Sequence, residues 1–112
     1  MEILFKKNKL RKICNKKALA QRQYGETQGK LLMRRLDELR AARCLGDLRF
    51  LPQARCHELK GNRKGQLSVD LRHPYRLIFE PADEPIPKKP DGGLDWEGVK
   101  LVRILAVEDT PD

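Results

Sequence analysis

Residues 66–80 read QLSVDLRHPYRLIFE, and apolar and polar side chains alternate along both halves of this stretch. An alternation with a period of two is typical of a β-strand that buries one of its faces. His73 and Pro74 interrupt the pattern and predict a tight turn between the halves. Because strands joined so closely must be antiparallel, the stretch predicts a β-hairpin with strands at 66–71 and 75–80.

Further strands are predicted on both sides of this hairpin. The turn-forming run GNRKG at 61–65 links it to an earlier strand near 56–60, and alternation resumes at 101–106. Residues 81–95 hold four prolines, which cannot donate to a strand ladder, so this part is predicted to be an extended loop. The sequence thus predicts a sheet of three to four antiparallel strands after residue 50.

The first half of the chain predicts an N-terminal strand at 3–5 and two helices. Asn8 is the expected N-cap of a helix that begins at Lys9 and is broken at Gly25. A second helix is predicted from a leucine stripe and is expected to end at Gly46. The stripe consists of Leu32, Leu36 and Leu39. The two helices form an α-hairpin, and the whole pattern is that of an α+β fold with helices on one sheet face.

Length and composition predict one domain over residues 1–112, with the proline-rich loop at about 81–95. The chain has 112 residues, of which 39% are hydrophobic and 5% aromatic, enough for one small aliphatic core. The longest apolar stretch lies near 99–107 and contains Lys100 and Arg103, whereas a membrane-spanning helix needs ~20 mostly apolar residues. The N-terminus lacks the charge order of a signal peptide. We therefore expect no membrane association and a cytoplasmic location.

Charge is distributed unevenly along the chain. Residues 1–80 carry 20 Lys and Arg against 8 Asp and Glu, a net charge of +12, whereas residues 81–112 carry −4. A basic body favours a polyanionic partner such as RNA, although a solvated basic surface would have the same composition.

The cysteines do not predict a disulfide framework or a metal site. Cys14, Cys44 and Cys56 form no CxxC pair, and their number is odd. The adjacent pair Cys56 and His57 lacks the usual spacing of metal ligands. We therefore expect three reduced thiols, no metal and no cofactor.

Both histidines lie in two short cationic segments, at 55–66 and 72–76. Cleavage of RNA suits such residues because the ribose 2′-OH is the nucleophile, and the protein only has to move protons and stabilise phosphoryl charge. His57 and Lys60 would point to opposite faces of an ideal strand, so they converge only if the strand ends near Leu59. Arg76 lies inside a strand, where a structural sequence more often has Thr or Val.

These segments resemble the HigB-type toxins of the RelE/ParE superfamily. The resemblance rests on HELKGNRKGQ at 57–66, SVD at 68–70 and YRLIF at 75–79, which match an LKGxRxG turn followed by an aromatic-Arg-[Ile/Leu]-x-Phe strand. LDEL at 36–39, LGDL at 45–48, RIL at 103–105 and Glu108-Asp109 also fit. The similarity covers nearly the whole chain except the proline-rich insertion.

The resemblance implies a microbial-ribonuclease-like α+β domain that cleaves mRNA on the translating ribosome, and a helix-turn-helix antitoxin of the HigA type. By position, His57 would transfer a proton, Lys60 and Arg76 would hold the scissile phosphate, and Asp109 would match an acidic residue at the C-terminal end. The remaining cations around these motifs are expected to contact RNA. They are Arg63, Lys64, Arg72 and His73.

The chain departs from the family at its end, and two other functions therefore stay open. Similar toxins often finish with Asp-Tyr-His, whereas Asp109 is followed here by Thr110-Pro111-Asp112. One alternative is a toxin that binds gyrase, the ribosome or its antitoxin without cleaving RNA. The other is a basic nucleic-acid-binding module, but no RRM, KH, zinc-finger or helix-turn-helix signature supports it.

Overall fold

The structure is a computed structural model that describes residues 1–109. Three helices and five strands follow one another along the chain. They are β1 (Glu2–Phe5), α1 (Asn8–Asn15), α2 (Lys17–Tyr24), α3 (Glu26–Ala41), β2 (His57–Glu58), β3 (Leu67–Asp70), β4 (Tyr75–Pro81) and β5 (Leu101–Asp109). Short 3-10 helices occupy Leu45–Phe50, Pro52–Ala54, Gly61–Arg63 and Trp96–Gly98. Within residues 1–109, no helix is both long and apolar enough to cross a bilayer.

The strands form one sheet with the order β1-β5-β4-β3-β2. The pairs β2/β3, β3/β4 and β4/β5 are antiparallel, as the sequence predicts. β1 adds a fifth strand parallel to β5, with Ile3 opposite Val102. The strand expected near 56–60 is present but only two residues long. The α+β fold prediction is confirmed, and the sheet gains a strand from the N-terminal segment.

The first predicted helix is interrupted. Lys16 adopts an extended conformation (φ −135°, ψ 115°) and separates α1 from α2, so the prediction of one unbroken helix is wrong. The predicted break at Gly25 is confirmed, because this glycine has a φ of +90° that other residues rarely adopt. Asn8 is the first helical residue rather than the cap, and its side-chain oxygen accepts a hydrogen bond from Nε of Arg11 at 3.0 Å.

The leucine stripe of α3 is buried as predicted. Leu32, Leu36 and Leu39 have no exposed surface and pack in the core between the helices and the sheet. The helix ends at Ala41 and not at Gly46, because Ala42 turns to an extended conformation. The same core holds side chains from three strands. They are Leu67, Val69, Leu77, Phe79, Val102 and Ile104.

The helical hairpin requires a glycine on α3. A Cβ built on Gly29 would lie 2.7 Å from the Cα of Gln21 and 2.9 Å from the carbonyl carbon of Ala20, both backbone atoms of α2. Glycine therefore permits α2 and α3 to approach more closely than any side chain would allow.

The proline-rich segment between β4 and β5 is held at both ends. Asp83 accepts a hydrogen bond from the backbone nitrogen of Lys100 at 3.0 Å. At the other end Trp96 is buried, and its Nε1 donates to Oε2 of Glu58 at 2.9 Å. The loop is predicted to begin at about residue 81, but β4 extends through Pro81, so the loop begins one residue later. Through Glu58, the end of this loop contacts the strand that carries His57.

Candidate active site

Two of the candidate catalytic residues, His57 and Arg76, lie on the sheet face opposite the helices. His57 is in register with Ser68, and Arg76 with Asp70. Since side chains alternate along a strand, these four residues point away from the face that Leu67, Val69 and Leu77 turn towards the helical core. Two depressions that share Arg55 contain five of the residues predicted from the sequence, which are His57, Lys60, Arg63, His73 and Arg76.

The larger depression, the imidazole groove, has a volume of about 440 Å³. Its lining side chains include four that bear or can bear a positive charge. They are Arg55, His57, Lys60 and Arg63. β2 ends at Glu58, so Lys60 lies beyond the strand and its side chain is not bound by the strand's alternation. This geometry brings His57 and Lys60 to one groove, as catalysis on a phosphodiester requires.

His57 is oriented by the backbone of the residue two positions earlier. Its Nδ1 lies 3.0 Å from the carbonyl oxygen of Arg55. A carbonyl oxygen only accepts hydrogen bonds, so Nδ1 carries the proton in this contact. In the neutral ring, Nε2 is then the nitrogen that has the lone pair needed to accept a proton.

Arg76 lies in a second, smaller depression of about 50 Å³, the arginine cleft. This side chain is nearly buried, and its Nε lies 3.4 Å from Oδ1 of Asp70. Arg55 donates from Nε to the other carboxylate oxygen of Asp70 at 2.9 Å. His73 also lines this cleft. Asp70 therefore holds two guanidinium groups side by side.

Arg55 joins the two depressions, and sequence reasoning did not select it. It lines both the imidazole groove and the arginine cleft, and its backbone is in the left-handed region with a φ of 45°. Non-glycine residues with positive φ are uncommon and concentrate at functional sites. The available signal was its position, two residues before His57 in the cationic segment.

The other candidate residues are dispersed around these depressions. Arg63 forms an ion pair with Glu108 of β5. Lys64 lines a different depression, beside the proline-rich loop. Arg72 is exposed in the β3–β4 turn, and its backbone forms hydrogen bonds with the side chain of Gln28 of α3. Asp109 is exposed at the end of β5, opposite Tyr75.

The acidic residue that shares the site face is the neighbour of Asp109. Glu108 is in register with Arg76 and lies on the same face, whereas alternation directs Asp109 to the other face. The departures from the family at Thr110, Pro111 and Asp112 lie outside the described residues.

A buried arginine supports the site from behind. Arg35 of α3 donates to the carbonyl oxygens of Asp70 at 2.7 Å and Gln53 at 3.0 Å, and to the carboxylate of Glu38 at 2.9 Å. It is 5% exposed, which is rare for an arginine. The sequence does not predict this role for Arg35, because two of its hydrogen-bond partners come from segments distant in sequence. Arg35 fixes the end of β3, where Asp70 binds Arg55 and Arg76.

The cysteine beside His57 is not a nucleophile. Burial raises the pKa of the Cys56 thiol from 9.0 to about 12, more than the nearby Arg49 lowers it. Only the thiolate is nucleophilic, so Cys56 is inert near neutral pH. All three cysteines are free thiols. The two depressions therefore offer the imidazoles of His57 and His73 together with several cations, a set suited to moving protons and stabilising charge on a phosphodiester.

Comparison with known proteins assigns the chain to a family. Residues 4–88 match the model of a family described as the RelE-like toxin of type II toxin-antitoxin system HigB. Toxin HigB-1 of Vibrio cholerae serotype O1 (strain ATCC 39315 / El Tor Inaba N16961) is 44% identical over 52 residues, which is 46% of this chain and 55% of that relative. The chain thus spans about half the length of this curated relative.

Proposed function

The chain belongs to the HigB-type, RelE-like toxins of type II toxin-antitoxin systems, and we propose that it is a ribosome-dependent endoribonuclease that cleaves mRNA and inhibits translation. One observation carries the proposal. His57, Lys60 and Arg55 line one groove, and Arg55 also lines the adjoining cleft that contains Arg76. An imidazole among cations is the set of groups that transfer of a phosphoryl group to a 2′-OH needs.

The proposed reaction uses the RNA's own nucleophile. Nε2 of His57 takes the proton of the ribose 2′-OH as its oxygen attacks the adjacent phosphorus. The bond to the 5′-oxygen breaks, and this oxygen takes a proton from solvent water, so that the products are a 2′,3′-cyclic phosphate and a new 5′-hydroxyl end. Lys60 and Arg76 bind the phosphoryl oxygens while their negative charge grows, and Arg76 offers two donors in a fixed geometry.

The remaining site residues are assigned to RNA binding. Arg63, Lys64, Arg72 and His73 would contact phosphates flanking the scissile bond, and Asp109 would act at the C-terminal edge of the site. Such contacts make binding weaken steeply with salt. With three Phe, two Tyr and one Trp in the chain, recognition of bases relies on how the ribosome presents the codon more than on aromatic stacking.

Mapping of mRNA 5′ ends after induction of the chain tests the proposal. We expect new ends within translated reading frames and none in untranslated RNA. His57→Gln should abolish these ends and the growth arrest, and Lys60→Ala should reduce both, whereas the exposed lysine variant Lys9→Ala should retain them. Growth arrest by the wild type without new 5′ ends would overturn the nuclease and favour a toxin that acts by binding alone.

Arg76 requires a gentler substitution because it is buried against Asp70. Arg76→Lys keeps the charge and loses the second donor, so we expect lower cleavage with little change in thermal unfolding. A variant with full cleavage would remove Arg76 from the proposed mechanism.

We further propose a HigA-type helix-turn-helix antitoxin as partner and the cytoplasm, where ribosomes translate, as the site of action. Family membership supports this partner, and the basic body suits an acidic partner surface. Co-expression of the chain with the product of the adjacent reading frame should yield a complex and restore growth. The active-site variant His57→Gln should still form that complex.

A further inference from the structure

A third depression lies on the same sheet face and extends from the β2–β3 turn to the segment that follows β1. We name it the lysine groove. It has a volume of about 400 Å³ and is lined by Lys6 and Lys7, which follow β1, and by Asn62 and Arg63 of the β2–β3 turn. Ile78 and Ala106 of the central strands contribute to its lining. Arg63 is the one residue among these that was named above as a candidate site residue, and its proposed role there is RNA binding.

The lysine groove is cationic. Both lysines are exposed, and in the part of the chain that the structure describes neither forms an ion pair. Glu108 is the acidic residue among its lining side chains, and Arg63 pairs with it. Three cations against one carboxylate leave a net charge of +2, so the groove favours an anionic ligand.

Arg63 is the residue that the lysine groove and the imidazole groove share. It lines both, and it reaches across the face from the β2–β3 turn to Glu108 of β5. β5 is the neighbour of β1, the strand that leads to Lys6 and Lys7. Four strand spacings of about 4.8 Å separate β2 from β1, so the cationic path is roughly 19 Å long.

We propose that the lysine groove binds the RNA strand that extends from the scissile phosphate, with Lys6 and Lys7 on its phosphates. The inference rests on the proposed nuclease function. A strand held at His57 must continue across the protein, and this groove is the cationic continuation that Arg63 reaches. The side-chain amides of Asn62 and Gln66 line it too, and can donate to and accept from base edges.

Binding of uncleavable RNA tests the groove separately from catalysis. The probe is a fluorescent hexanucleotide with 2′-fluoro riboses, which lack the attacking hydroxyl, and binding is followed by anisotropy at several salt concentrations. Lys6→Ala/Lys7→Ala should lower affinity roughly 3- to 30-fold and reduce the salt slope by about 1.4, the value for two lost phosphate contacts on single-stranded RNA. Lys6→Arg/Lys7→Arg should bind like the wild type.

The matched control removes the same charge elsewhere on the same segment. Lys9→Ala/Lys12→Ala on α1 should change affinity less than twofold, and a dinucleotide probe should bind equally to all variants. Equal weakening by both double-alanine variants, an unchanged Lys6→Ala/Lys7→Ala variant, or no saturable binding by the wild type would overturn the groove assignment. So would loss of antitoxin binding with RNA binding intact, which would assign the groove to an acidic protein.

The two proposals fail in different ways. A wild type that binds the hexanucleotide through Lys6 and Lys7 but produces no mRNA ends would end the nuclease proposal and leave the groove standing. A wild type that cuts mRNA while Lys6→Ala/Lys7→Ala binds normally would end the groove assignment alone.

Discussion

At the scale of single residues, the candidate site depends on buried polar contacts that hold the guanidinium groups of Arg55 and Arg76 in place. Arg35 shows this most clearly, since one guanidinium bonds acceptors on β3, on the 3-10 helix at Pro52–Ala54 and on its own helix. Asp70, whose carbonyl oxygen Arg35 binds, is the residue that pairs Arg55 with Arg76. The geometry of the candidate site thus depends on contacts that reach into the core.

Replacement of Arg35 by methionine should destabilise the fold by about 3 kcal/mol. Methionine fills much of the space but removes the donor from three partly buried acceptors, and their lost hydrogen bonds account for the destabilisation. Urea denaturation measures the effect. Arg34→Met, its exposed neighbour on α3, should change stability by less than about 0.5 kcal/mol. Equal effects of the two substitutions would contradict the role given to Arg35.

Cys56 should resist alkylation in the folded protein. Its pKa of about 12 lies above the ordinary 9.0, so at pH 8 the thiolate is about 1,000-fold rarer than in the unfolded chain. The native state holds the thiol proton more tightly, so its contribution to stability is present below pH 9 and is lost as pH rises towards 12. Mass spectrometry after iodoacetamide treatment, with and without urea, measures the difference; equal rates would refute it.

At the scale of elements, the helical hairpin is set by the contact of Gly29 with α2. Alanine is the better helix former by about 1 kcal/mol, but its Cβ would meet backbone atoms that cannot rotate away. Gly29→Ala should therefore destabilise the protein, by roughly 1–3 kcal/mol net. Thr27→Ala, on the exposed side of α3, should be neutral or slightly stabilising. A higher melting temperature for Gly29→Ala would show that the helices can separate without loss.

The elements differ in whether residues close in sequence or residues far apart specify them. The hairpin of β3 and β4 and the buried face of α3 could be predicted, because alternation and the leucine stripe lie within a few residues. The pairing of β1 with β5 joins residues 2–5 to 101–104, and no local pattern specifies it. The break at Lys16 carries no glycine or proline, so its sequence resembles that of a continuous helix.

The same difference separates the residues of the candidate site that the sequence predicts from those that it does not. His57, Lys60 and Arg76 were selected because their chemistry and their family motif are visible in sequence. Arg55 and Glu108 were not, because their roles follow from which strand lies beside which. The same holds for the hydrogen bond from Trp96 to Glu58, which joins residues 38 positions apart.

At the scale of the whole molecule, one core connects the helices, the sheet and the buried Trp96. We therefore propose that residues 1–112 form one domain that unfolds in a single transition. Tryptophan fluorescence reports on the segment before β5, since Trp96 is the single tryptophan, and far-ultraviolet circular dichroism reports chiefly on the helices. The two urea curves should coincide. Separate midpoints would mean that the proline-rich segment and its anchor unfold on their own.

The place of β5 in the sheet has a consequence during synthesis. This strand lies between β1 and β4, so a nascent chain that has not yet exposed residues 101–109 lacks the strand that joins β1 to the rest of the sheet. Until then β1 has no strand to pair with, and one edge of β4 has no hydrogen-bonded neighbour. Residues 101–109 must therefore leave the ribosome before β1 can join the sheet, and the lysine groove, which Glu108 of β5 and the two lysines after β1 line together, forms only after that step.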